Sequence, residues 1–169
     1  MCSAVIWLTA TLIQHAHGIG AGFAALFFGG MLIFPAAKLV CRFIFQRESE
    51  SSGNPFGMMV LEGTVAMIAG LFAAWLFLPL KPELVFPLAA IAVGTHYGIF
   101  KTAYGDRAFW LLAGIITAIG LGNIFVSPMR GLTALLVFIT ELAFGAFLTI
   151  RAKNSDRPAS GPGVVGDSF

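Results

Sequence analysis

Charge is what this chain has least of. Ten Lys and Arg and eight Asp and Glu make up 11% of its 169 residues, whereas soluble domains carry about 25%. A water-soluble fold of this length could not cover itself with so few charges. Lipid as the outer solvent removes the difficulty, because an apolar surface is then required. Cysteine is nearly absent as well: Cys2 and Cys41 are the only two. They make no disulfide framework, no CxxC pair and no Cys/His metal spacing. Both read as small hydrophobes in helices, toward the same reducing side, and are expected to stay unpaired. The net charge of +2 comes without a basic stripe or an RNA-binding signature, which argues against a nucleic-acid partner. The start has no basic n-region and no Ala-x-Ala exit, so it does not read as a signal peptide.

Chemistry-bearing motifs are missing too. There is no nucleophile elbow, no His-Glu-x-x-His, no paired-Asp motif and no cofactor loop, so no enzyme, cofactor or metal is expected. Gly18-Ile-Gly-Ala-Gly22 has the look of a phosphate-cradling loop, but no strand precedes it and no acidic partner follows at the right distance. It reads instead as a flexible entry to the second span. His15 and His17, two residues apart, do not share a helix face, and no third zinc ligand accompanies them.

Apolar residues dominate what is present: 58% of the chain, with a mean hydropathy of +0.90. Five runs are long enough to span a bilayer: 19–37, 57–78, 84–100, 108–126 and 131–150. A sixth, at 2–13, would be about 18 Å long as a helix against a hydrocarbon core of ~30 Å, and reads as a truncated first span. The runs lack the period-two alternation of barrel strands and are rich in Ala, Leu and Gly, so helix is the expectation. Connectors carry turn chemistry, as in Pro79-Leu-Lys-Pro82 and Tyr104-Gly-Asp-Arg107. The reading is an all-α polytopic bundle of about six spans over residues 1–150. A Gly-, Pro- and Ser-rich tail at 151–169 is expected to be disordered and cytoplasmic.

Orientation follows from Lys and Arg. Lys38, Arg42, Arg47, Lys101, Arg107, Arg151, Lys153 and Arg157 fall on one side, and Lys81 and Arg130 on the other. The rich side is expected to be cytoplasmic, with both termini inside. Trp75, Trp110, Tyr104 and Phe86 lie near span ends, where rings favour the headgroup layer.

Small residues recur at four-residue spacing: Ala66 with Gly70, Ala69 with Ala73, Gly94 with Gly98, and Gly114, Ala118 and Gly122. Such rows let helix backbones approach closely, either within one chain or across a homo-oligomer seam. The ionisable residues inside spans are few. Glu62 and Glu141 are the carboxylates, and His96 beside Tyr97 is the histidine. Asn123 lies toward the outer end of the fifth span. A charge at mid-bilayer costs roughly 2.5–3.5 kcal/mol on insertion scales, so Glu62, His96 and Glu141 are expected to approach one polar interior. Spans three and four are antiparallel neighbours, which allows a Glu62–His96 contact. Glu141 lies deeper, and its contact needs tilt, a bridging water or Tyr97.

Three stretches carry a family likeness: Phe27-Phe-Gly-Gly-Met-Leu-Ile-Phe-Pro35 through Arg42, Asn54-Pro-Phe-Gly57 with Leu61-Glu-Gly-Thr64, and Phe86-Pro87 through His96-Tyr97 to Tyr104-Gly105. Together they resemble an uncharacterised family of small bacterial multi-pass membrane proteins, a domain of unknown function. The similarity covers 27–114 and, more loosely, the sixth span with Glu141. It implies a polytopic helical membrane fold and places Glu62 and His96-Tyr97 in recurring motifs; the expected location is the bacterial inner membrane. It brings no activity with it. Two functions stay open: transport of a small solute or ion, and a non-transporting accessory role bound to another membrane subunit. The discriminator is whether Glu62, Glu141 and His96 line one water-accessible cavity or sit separately satisfied in a dry arrangement.

Overall fold

The computed structural model of the chain describes residues 2–43 and 55–155. Six α-helices follow one another: α1 (Cys2–His17), α2 (Ile19–Phe43), α3 (Pro55–Leu76), α4 (Val85–Tyr104), α5 (Ala108–Phe125) and α6 (Thr133–Ser155). Short 3₁₀ turns at Pro82–Leu84 and Ser127–Leu132 lead into α4 and α6. No strand occurs among the described residues. Among the described residues, four stretches are long and apolar enough to cross a membrane: Gly57–Leu76, Pro82–Tyr104, Ala108–Phe125 and Arg130–Asn154. At 16 residues, α1 is longer than the apolar run 2–13 because Gln14, His15 and His17 continue it. Its length is still only about 24 Å at 1.5 Å per residue. The expected tail boundary at 150 falls inside α6, which runs on through Ser155. The rest of the tail lies outside the described residues, as does the 44–54 connector.

Large apolar side chains face outward around the bundle, among them Leu12, Leu32, Val65, Phe72, Leu111 and Ile150. In water each would forfeit roughly 25 cal/mol per Å² of apolar surface left unburied; in hydrocarbon the same surface is at home. The core is correspondingly thin. Helix α4 is its axis, packed against α3, α5 and α6. Rings tie the remaining helices to it: Phe23 of α2 lies 5.9 Å from Phe86 and 5.6 Å from Trp75, and Trp7 of α1 lies 6.4 Å from Phe86. The edge-to-face geometry of the two Phe23 contacts adds to plain burial. Phe86 sits near the start of α4, as expected, but is buried in the core and not open to the surroundings, and Trp75 packs against Phe23, Phe27 and Phe28. Trp110 and Tyr104 are exposed near helix ends, as expected.

Glycines set the closest approaches. A methyl on Gly22 would sit 2.7 Å from the Ala10 carbonyl oxygen and one on Gly120 2.7 Å from that of Pro87. At both places helix backbones touch. Gly22 thus seals α1 to α2 instead of loosening the entry to the second span. The turn itself is made by Gly18, whose φ of +91° is open to glycine at little strain.

Candidate functional site

Glu141 lies where α1, α4 and α6 meet, and only 5% of it is exposed. Its Oε1 accepts two hydrogen bonds, from the Ser3 hydroxyl at 3.0 Å and the Tyr97 hydroxyl at 2.9 Å. The Trp7 indole stands beside the same carboxyl group. Its other oxygen, Oε2, is buried and has no hydrogen-bond partner. Tyr97 is thus the group that brings α4 to the acid, one of the routes the sequence left open. Ser3 is an addition that no motif in the sequence marks. It shares a helix face with Trp7 and Ala10, at spacings of four and seven, and that face of α1 is the buried one.

Glu62 does not join this site. It is exposed on α3, and its neighbour Gly63 takes the inward position: a methyl there would sit 3.3 Å from His96 Nδ1. Successive helix residues point about 100° apart, so a one-residue difference decides between interior and surface. The expected Glu62–His96–Glu141 cluster is therefore corrected to two separate places. One is the Glu141–Tyr97–Ser3 centre. The other is a groove of about 460 Å³ between α3 and α4, lined by His96 with Gly63, Ala66, Gly70, Thr95 and Ile99. His96 Nδ1 has no hydrogen-bond partner, and its ring stands edge-on to Phe100, 4.9 Å away.

The small-residue rows divide by what they touch. Gly70 packs on Ala92, where an added methyl would lie 2.9 Å from the Ala92 methyl. Gly94 packs on Thr117, with its backbone nitrogen at 2.7 Å from such a methyl. Gly98 barely reaches Ala113, at 3.9 Å. On α5, Gly114, Ala118 and Gly122 lie away from the core, with open space above both glycines. Gly114 and Ala118 border a second groove, of about 370 Å³, between α4 and α5.

A further polar cluster closes the α5–α6 end, built around Arg130, for which no contact was legible in the sequence. Its guanidinium donates to the carbonyls of Asn123 (3.3 Å) and Ile124 (2.7 Å) and reaches Glu83 at 3.8 Å. These are carbonyls that the end of α5 leaves without a helical partner. Asn123 donates to Thr133 at 2.9 Å, and Thr133 donates to the Arg130 carbonyl at 2.9 Å. At the opposite end, Asp106 accepts from the Ala108 amide at 2.9 Å and pairs with Arg151 at 3.0 Å. The amide bond first, and then Arg151, hold the Asp106 carboxyl below its usual value. Cys2 carries a free thiol; the side chain of Cys41 lies outside the described residues.

Comparison with curated proteins and with solved structures returns no match. A family model does match, over residues 1–151. It takes in α6 with Glu141, as the resemblance in the sequence does loosely, and also α1 with Ser3, which lies outside that resemblance. The chain belongs to this family, a family of unknown function designated DUF7010.

Proposed function

We propose that the protein is a non-transporting membrane subunit whose α4–α5 face receives a transmembrane helix of another membrane protein. The observation that carries this reading is the open row Gly114, Ala118 and Gly122 on α5. Between helices in lipid there is no hydrophobic drive, so association rests on close packing, and small residues at four-residue spacing permit it. The groove beside this row gives a second helix a ridge to fill. Transport is the less favoured reading because the intramembrane ionisable residues are dispersed. Glu62 faces outward, His96 lines the α3–α4 groove, and Glu141 is held by Ser3 and Tyr97.

The test attaches a thiol-directed photocrosslinker to Ala118→Cys in a Cys2→Ser, Cys41→Ser background and illuminates native membranes. The expected product is one adduct of defined mass, mapped by peptide analysis to a membrane-spanning segment of a different chain and lost on adding Gly122→Leu. The same probe at Val65→Cys, on the outer face of α3, should give none. Equal adducts at both positions, or none at position 118, overturn the reading. So does Glu141-dependent ion or solute flux in proteoliposomes.

A further inference from the structure

An ionised carboxylate accepts on two oxygens with about four lone-pair positions. At Glu141 both hydroxyl donors, Ser3 and Tyr97, sit on Oε1, and none reaches Oε2. The residue is almost wholly buried, inside a helix whose outward neighbours are apolar. A full charge shared onto a bare, desolvated oxygen is among the most expensive arrangements a protein interior can hold. The opposite state is well matched: with a proton on Oε2, Oε1 becomes the carbonyl oxygen of a neutral acid and keeps both of its donors. The groups acting on Glu141 from the packed helices are the Tyr97 phenol of α4, the Ser3 hydroxyl and Trp7 indole of α1, and the positive charge at the chain's amino terminus. None of the side chains among them is a cation. On α6 itself, Arg151 is engaged by Asp106 at the helix end, about 15 Å away along the axis at 1.5 Å per residue.

We propose that Glu141 is an intramembrane proton-binding site, carrying its proton on Oε2 while Ser3 and Tyr97 hold Oε1 and so dock α1 against α4 and α6. The ligand class is the proton itself. Three oxygen-bearing side chains are too few to replace the hydration shell of a metal cation, which takes six or more oxygen ligands when it is of the calcium type. The proposal does not rest on the accessory reading, since a proton bound here needs no partner at the α4–α5 face. It gives a function to the one buried polar atom of this centre that the fold leaves unused.

Infrared spectroscopy of the protein in lipid nanodiscs at neutral pH tests it, because a protonated carboxyl has its own carbonyl stretch. The expected result is such a band in the native protein, lost in Glu141→Gln and retained in Glu62→Gln. Tyr97→Phe removes one of the two donors from Oε1, so the band should persist and move to higher frequency, a change that a merely structural role for Tyr97 would not produce. The Tyr97→Phe arm keeps the proposal testable should Glu141→Gln fail to fold. A native protein without the band, a band unmoved by Tyr97→Phe, or a band that disappears on adding sodium but not potassium overturns the assignment. The last outcome would give the site to a metal cation.

Discussion

The two faces of α5 use the same residue type for opposite purposes. Inward, Gly120 stands with Leu112, Ile116 and Asn123 in the buried set, and its missing side chain lets the α4 backbone touch α5. Outward, Gly114 and Gly122 have nothing within 4 Å of where a methyl would go. One glycine is consumed by the monomer and the others are left free. The difference teaches that a small-residue row is evidence of close packing only after its face is known. It also says where to look for a partner: on the face whose small residues the fold does not use.

Substitutions along this one helix break or sharpen the contrast. The largest effect belongs to Gly120→Leu, which drives a side chain into the Pro87 carbonyl and Ile91; overpacking of this kind costs typically 1–3 kcal/mol, and here about 3 kcal/mol is expected because backbone must move. Gly114→Leu should leave thermal unfolding in detergent within about 0.5 kcal/mol of the native protein. Equal losses from the two would erase the distinction between the faces.

Next comes Arg130→Ala, which strips two carbonyls at the end of α5 of their charged donor. A loss of about 2 kcal/mol is expected, in line with hydrogen bonds to charged groups. An unchanged melting temperature would mean that water replaces the guanidinium there. Asn123→Leu, on the buried face, removes a single side-chain bond to Thr133. Such bonds between membrane helices average about 0.6 kcal/mol, and a loss of that size is the expectation.

Asp106→Asn at the start of α5 should have the smallest effect. The folded protein holds the Asp106 carboxyl below its unfolded value, so its contribution to stability is present above the unfolded value and fades as pH falls through the lower, folded one. The native protein and the Asp106→Asn variant should differ slightly at neutral pH and converge in strong acid. A gap that widens on acidification would reverse the sign of the argument.

Much of this fold is legible in the sequence because lipid imposes a coarse rule: long apolar runs become helices, and α3 to α6 match the expected runs closely. Faces are harder. Glu62 and Gly63 are adjacent letters, and without a reference for rotation the carboxylate is the natural candidate for the interior; the structure gives that position to the glycine. Tyr97 is legible as a bridge because it follows His96 in a span already expected to approach the acid. Ser3 is not, since a serine in a short helix carries no mark until Trp7 fixes which side is buried. Arg130 reads in the sequence only for the side of the membrane it marks, while its bonds to Asn123 and Ile124 depend on the chain turning back at Ser127–Leu132.

The single residue between α1 and α2 has a consequence for how the two helices can lie in a membrane. Gly18 alone separates the two helices, and Gly22 locks their backbones together at Ala10. No one-residue link can cross a bilayer, so in a membrane the two helix ends that Gly18 joins lie on the same side. The hairpin so tied turns Val5 and Leu12 of α1 and Phe28 and Leu32 of α2 outward together, one continuous apolar surface on two short-linked helices.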